Sequence, residues 1–534
     1  MRKQIYTLMV GAALLTSTTS CNDWLDLLPN NEQVSDDYWQ SKEDVEAVLM
    51  SGYYYMRKAV PNMVYWGELR GGSFYTLATG AQNKVQSFDI LPTNTLANYT
   101  VLYQVINMAN SVLDYALSVD DDTYFESQRY SHMCEAYFMR AYAYLTLVKT
   151  FKEVPLITKA YTTDKQEFNI PKSTEEEIIA QIKSDVKAAL ATGAAKTTYD
   201  NDWENKGRVT KYALQALMAD VCLWSQDYDE CIQYCNELID CPDAGIHPAF
   251  ISNMNNWFDI FYPGNSNESI FELNWDNTLS GSNTSNGFTG YFAWGSTSAM
   301  IATQAAQQAM MNETSEVMAN QNIASADGGR IGRMLMASYV CGTSSDTYSK
   351  YTSASTYYLY KYRGTDIADI GNLRTSNDAN FIFYRMAEIM LFKAEALVMK
   401  DDSEAGWRTA IELINQIRNR AGLGNYLNEE AATLDLTLID RKTLLQEIID
   451  QRQMEFLGEA KRWYDLLRVY RYGYADFDYE DMAITMVIEG TETTTATRVE
   501  TVLANPYAWY LPLPDDEVKT NRQLKQNPYY TTSN

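Results

Sequence analysis

Apolar residues recur at helical spacing through most of the chain, and one long stretch in the middle follows no period. Between Thr174 and Leu190, the residues Ile178, Ile182, Val186 and Leu190 stand four apart, which puts them on one face of a helix. Thr174 supplies a side-chain cap, and Glu175, Glu176 and Glu177 fill the first turn, where the helix dipole favours negative charge. The same reasoning predicts helices over Ser41–Arg57, Tyr99–Leu117 and Ser127–Phe151, the last closed by Pro155, which cannot continue a helix. Thr210–Ser225 and Tyr228–Ile239 form a pair with a very short link. Arg385–Met399 and Glu404–Arg420 form a second pair, stopped by Gly422, and Leu444–Phe456 and Arg462–Arg468 follow. Small residues such as Ala213, Ala216, Ala219, Ala394 and Ala396 let paired axes approach closely, and such pairs look like tetratricopeptide units. The expected fold class is mainly α, with tetratricopeptide-like helix pairs forming a scaffold and an irregular, loop-rich ligand-binding region inserted into it.

The aperiodic stretch runs from about Ser252 to Asp378 and is rich in Ser, Thr, Asn, Gly and aromatics. Its segment Asn274–Thr297 carries Trp275, Phe288, Tyr291, Phe292 and Trp294 among glycines and small polar residues. Loops this long are functional or disordered, and the aromatic content argues against disorder. A second stretch of this kind, Arg70–Asn98, carries Phe74 and Tyr75. The expected organisation is a single domain over 21–534. Its helical scaffold covers about 35–250 and 380–470 and flanks a loop-rich ligand-binding insert at about 252–379.

Charge narrows the function. Lys and Arg number 43 against 69 Asp and Glu, a net charge of -26, so the chain repels nucleic acid and anionic headgroups at long range and no nucleic-acid partner is expected. The only histidines, His132 and His247, exclude any site of three imidazoles. Asp200-Asn-Asp202-Trp-Glu204 begins like a calcium loop, but Asn205 and Lys211 stand where the required glycine and glutamate would be. No Ser–His–Asp order, phosphate loop or metalloprotease helix is evident, so neither metal nor cofactor is expected.

At the N-terminus, Arg2 and Lys3 precede the mostly apolar run Ile5–Leu15, and small residues lead into Cys21. A run this short cannot span a bilayer, which takes about 20 residues. Residues 1–20 are therefore expected to be a lipoprotein signal peptide, with lipid on Cys21 as the only anchor. Cys231 and Cys235 stand four apart on a helix with no C-x-x-C pair, which reads as buried free thiols rather than a zinc site.

Several stretches, in order, resemble the SusD/RagB family of outer-membrane glycan-binding lipoproteins. They are Cys21-Asn-Asp-Trp-Leu-Asp26, Trp66-Gly-Glu-Leu-Arg70, Asn107-Met-Ala-Asn110 and the helix from Glu135 through Arg140 to Val154-Pro-Leu156. Further on come Arg385-Met-Ala-Glu388, Ala394-Glu-Ala396, Asn415-Gln-Ile-Arg418 and Arg420-Ala-Gly422. Arg452, Glu455, Glu459 and Arg462-Trp-Tyr-Asp-Leu466 then lead to the closing Tyr510-Leu-Pro-Leu-Pro514 and Gln526-Asn-Pro-Tyr-Tyr530. Glu459-Ala-Lys-Arg462 keeps the family's spacing without its glycine and histidine. Most of these residues read as scaffold, with Arg140, Arg418, Arg452 and Arg462 pairing with Glu388, Glu395 or Glu455. The resemblance implies a cell-exterior protein, lipid-anchored in the outer membrane. It would act as a hinged lid that passes oligosaccharide to a SusC-like TonB-dependent transporter.

The residues themselves suit a sugar. Pyranose C–H faces pack on aromatic rings, and hydroxyls take forked polar partners. Trp275, Tyr291, Phe292 and Trp294, with Phe74 and Tyr75 in the other loop, supply faces. Asn274, Asp276, Gln82, Asn83 and Arg70 supply polar partners. The expected function is non-catalytic glycan capture. A secreted glycoside hydrolase, or capture of a peptide or glycoprotein, are the alternatives.

Overall fold

The computed structural model describes residues 38–163, 165–241, 247–275, 287–292, 299–320, 338–341, 348–349, 357–365, 373–374, 377–491 and 493–531. Residues 1–20, expected to be a signal peptide, and Cys21 lie outside the described residues. The main helices are α1 (Lys42–Glu68), α2 (Ala81–Gln86), α3 (Thr100–Tyr115), α4 (Glu126–Phe151), α5 (Glu175–Ala191), α6 (Lys211–Trp224) and α7 (Tyr228–Ile239). After them come α8 (Gln304–Asn320), α9 (Met386–Lys400), α10 (Glu404–Ala421), α11 (Arg441–Glu455), α12 (Arg462–Tyr470), α13 (Tyr479–Glu489) and α14 (Thr493–Leu503). Local chemistry sets their starts. Ser41 and Asp44 form a capping box on α1, Thr174 and Glu177 form one on α5, and Gly422 closes α10 in the left-handed conformation. The expected helices are all present, several of them longer. α1 runs eleven residues past Arg57 and through Pro61, because its last turns bury Met63, Val64, Tyr65 and Trp66 in the core.

Each helix of the scaffold packs on the next. α1 lies against α3, α3 against α4, α4 against α5, α5 against α6, α6 against α7, α7 against α9, and α9 against both α10 and α11. The molecule is thus mainly α, with short-linked helix pairs as its scaffold. Cys231 and Cys235 are fully buried free thiols on α7.

The middle region is more regular than its composition suggests. It contains α8 and the strands β2 (Ser269–Leu273), β3 (Met300–Ala302), β4 (Ser338–Cys341), β5 (Tyr348–Ser349) and β6 (Tyr357–Leu359). Two further strands, β1 (Phe74–Thr76) and β7 (Phe381–Arg385), come from outside it and tie it to the scaffold. β1 pairs antiparallel with β3, with Tyr75 opposite Ile301, and β2 pairs antiparallel with β7, with Leu273 opposite Phe381. β4 is the centre of a small three-stranded sheet, between β5 and β6. α8 escapes a hydrophobicity reading because most of its residues are polar. Its buried positions Ala306, Met310, Glu313 and Val317 still follow helical spacing.

The buried charges pair differently from expectation. Arg140 binds Asp185 at 2.8 and 2.6 Å, and Arg418 binds Glu447 at 2.8 Å and Glu316 at 2.5 Å. Of the proposed partners only Glu388 meets its arginine, Arg452, at 3.3 Å, and Arg452 binds Asp465 more closely at 2.8 Å. Arg462 has no ion-pair partner among the described residues and donates to the Gly71 and Ile449 carbonyls. Sequence places these groups on helices but cannot say which helices meet. The centre of the network is Arg385, between β7 and α9, which reaches Glu268 at 2.9 Å, Glu455 at 2.7 Å and Glu459 at 3.0 Å. Arg420 shares Glu268 and Glu455, and Lys361 meets Glu459 at 2.8 Å. Three cations thus face three carboxylates, with almost no exposure to water.

Candidate functional site

The two aromatic loops have different fates. In the middle region the rings are used internally. Phe288 is fully buried and meets Trp275 at 5.9 Å, Tyr362 at 5.1 Å and Phe381 at 5.4 Å between ring centroids. Trp275 is 8% exposed, its ring covered by the Arg57 guanidinium at 4.9 Å. Phe292 has no exposed surface and packs on Phe74 and Tyr362, and Tyr291 stacks on Tyr65 at 4.2 Å. Burial pushes the Tyr291 phenol well above its ordinary range, with the Tyr65 hydroxyl adding to the shift. These rings form a core layer between the end of α1 and β7. Trp275 and Phe292, expected as ligand faces, are packed into this layer and do not border open space. Asn274 donates to the Trp203 carbonyl at 3.4 Å. Trp294 and Asp276 lie outside the described residues.

The other loop borders open space. A cavity of about 760 Å³ is lined by Arg70, Phe74, Tyr75 and Asn83, four of the residues singled out in the sequence. Period-two alternation along β1 sorts the rings: Phe74 is buried against Phe292, and Tyr75, on the opposite face of the strand, is half-buried. The Thr76 amide donates to Gln86 Oε1 at 2.9 Å, which ties α2 to β1 and sets Asn83 beside the cavity. The start of α8 forms the next wall. Thr303 caps that helix while its Oγ donates to the Gly72 carbonyl at 2.7 Å, so Gln304 and Gln308 also line the cavity. Glu489, Gly490, Thr491 and Thr495, between and within α13 and α14, close the far side.

Arg70 serves the wall rather than the opening. It is 1% exposed, donates to the Trp509 carbonyl at 2.9 Å and lies over the Trp463 ring at 4.1 Å. Burial lowers its guanidinium to about 10. The glutamines of α8 and the α13–α14 turn escaped the sequence reading. Gln304, Gln307 and Gln308 form a cluster of amides that could have been noticed, but nothing in the sequence marks the distant Glu489–Thr495 segment as their neighbour.

Comparison with known proteins gives a consistent result. A profile described as "SusD family" matches residues 334–530, and one described as "Starch-binding associating with outer membrane" matches 23–223. SusD-like protein P38 of Formosa agariphila is 26% identical over 84% of this chain and 88% of its own length. A SusD-like protein of Bacteroides ovatus is 24% identical over 99% and 98%. Among solved structures, a SusD superfamily protein from Bacteroides vulgatus is similar, with a TM-score of 0.68 and 20% identity over 92% of this chain and 100% of that one. A laminarin-binding SusD-like protein, with a TM-score of 0.65 and 21% identity, covers the same shares. So does surface glycan-binding protein A from Bacteroides uniformis, with a TM-score of 0.66 and 21% identity.

Proposed function

The chain belongs to the SusD/RagB family, and from that premise we propose that it captures a glycan at the outer surface of the outer membrane without cleaving it. The observation that carries this reading is the cavity of about 760 Å³, a size usual for ligand sites, in which an aromatic ring stands among primary amides. Tyr75 offers the face for a pyranose ring, and Asn83, Gln86, Gln304 and Gln308 offer the forked donors and acceptors that hydroxyls need. The names of two structural neighbours, for laminarin and for surface glycans, support the same class of ligand. Export through residues 1–20, lipid on Cys21, a single domain over 21–534 and delivery of the captured sugar to a SusC-like TonB-dependent transporter complete the proposal. Trp294 stays in it as a candidate ligand contact.

Calorimetry of the lipid-free chain against a panel of starch, β-glucan, xylan and mannan fragments tests it. Binding is expected, and Tyr75→Ala weakens it about tenfold or more, since losing a buried aromatic contact costs about 1.5–3 kcal/mol. Trp275→Ala lowers the melting temperature and leaves affinity near that of the parent. Binding indifferent to Tyr75 moves the site elsewhere. Release of reducing ends during the incubation replaces capture by hydrolysis, and heat only with peptides replaces the glycan.

A further inference from the structure

On the reading just given, the ligand is a glycan held beside Tyr75. We infer further that it is an extended, uncharged glycan that continues from that cavity into a second one of about 380 Å³. The two cavities share Gly72, Ala305, Glu489 and Gly490 in their linings. Their boundary is made of two glycines, one alanine and Glu489. Gly72 has φ +75, and a Cβ on Gly490 would stand 1.9 Å from the Gly72 carbonyl oxygen. Only glycines let the two backbones meet this closely, and neither residue puts a side chain into the boundary.

The second cavity is lined with amides and acids. Asn312 comes from α8, Gln446, Asp450 and Gln453 from α11, and Arg418 from α10. The amides are held in place by their neighbours. Gln308 Nε2 donates to Asn312 Oδ1 at 2.8 Å, Gln446 Nε2 to Asp450 Oδ1 at 2.9 Å, and Gln453 Nε2 to Ser73 Oγ at 2.9 Å. The Asn312 amide nitrogen and the Gln446 and Gln453 carbonyl oxygens keep no partner among the described residues. Fixed donors and acceptors with capacity to spare match hydroxyl groups, which both give and accept.

The charges decide which glycan. Glu313, Glu316, Asp450 and Glu489 line the second cavity. Against these four carboxylates it has two guanidiniums, Arg418, paired with Glu316 and Glu447, and Arg462, which donates to two backbone carbonyls. In the first cavity Arg70 is buried against Trp463. A uronate or sulfate would therefore meet an excess of acid in a chain whose net charge is -26, whereas a neutral sugar meets no such penalty.

The test is calorimetry of the lipid-free chain with oligosaccharides of increasing length from starch, laminarin, xylan and mannan, alongside alginate and dextran-sulfate fragments. Affinity for a neutral series is expected to rise about tenfold or more from the shortest binder to the longest, about 1.4 kcal/mol. Ala309→Trp, whose indole would fill the second cavity alone, removes that rise and leaves the shortest binder unaffected. Asn312→Ala, an exposed position, reduces the rise without disturbing the core. Affinity that is level with length, a rise that survives both substitutions, or tighter binding of the acidic fragments overturns the inference and leaves glycan capture standing. No binding by any fragment overturns both.

Discussion

Arg385→Met is expected to destabilise the protein by about 3–5 kcal/mol, the largest single effect of any substitution proposed for this molecule. The guanidinium reaches Glu268, Glu455 and Glu459, and donates as well to the Glu455 carbonyl at 2.9 Å. Burial alone would lower its charge affinity, but the three carboxylates outweigh burial and hold it well above the ordinary arginine range. Removing it leaves three buried glutamates with only Arg420 and Lys361 to neutralise them. The uncompensated carboxylate, rather than the lost contacts, makes the cost large. Urea denaturation followed by circular dichroism measures it. Because the partners act as one network, Glu455→Gln should cost less in the Arg385→Met background than in the parent. A loss below about 1 kcal/mol, or strictly additive losses, would show that the network contributes little.

The second large effect is a dependence on pH set by Glu68, the last residue of α1, two positions before Arg70. Its side chain has no exposed surface; Oε1 accepts the Ala460 amide at 2.8 Å, and Oε2 has no partner among the described residues. Burial raises its pKa from 4.5 to about 8, only partly relieved by the Ala460 amide and by Lys361. The folded chain therefore keeps this proton over a range in which the unfolded chain has released it. Stability from this group is complete below about pH 4.5. It falls as pH rises, by about 1.4 kcal/mol per unit, until the folded form also ionises near pH 8. Glu68→Gln carries no such proton. Its urea midpoint should exceed the parent's by a margin that grows from pH 5 to pH 8. Asp450, raised to about 6 chiefly by burial, also titrates in this window but contributes equally to both proteins. Parallel curves for parent and variant would show that Glu68 is ionised in the folded state.

Both effects arise from groups whose position in the chain was plain and whose surroundings were not. Glu68 and Arg70 stand in Trp66-Gly-Glu-Leu-Arg70, a segment that reads as scaffold, and Arg385 opens the segment Arg385-Met-Ala-Glu388 in the same way. The candidate site divides along the same line. Tyr75 and Asn83 were marked by composition and line an open cavity, whereas Trp275 and Phe292, marked by the same composition, are packed into the core. A glycine-rich aromatic loop has one appearance in sequence whether its rings face solvent or each other. The choice depends on Tyr65, Phe74 and Tyr362, which come from other parts of the chain.

What the sequence determined by itself was local. Capping residues, glycine stops and three-to-four-residue spacing fix where helices form, since those interactions span only a turn or two of chain. The helix pairs, their order and the family pattern followed from them. The tertiary structure decided which charges meet, which aromatics stay open and which residues border both cavities. Glu268 meets Arg385 across 117 residues, Thr303 meets Gly72 across 231, and Gly490 closes on Gly72 across a still longer span. Contacts at that distance in the chain are set by how helices and strands stack around the whole core, and no short-range period records them.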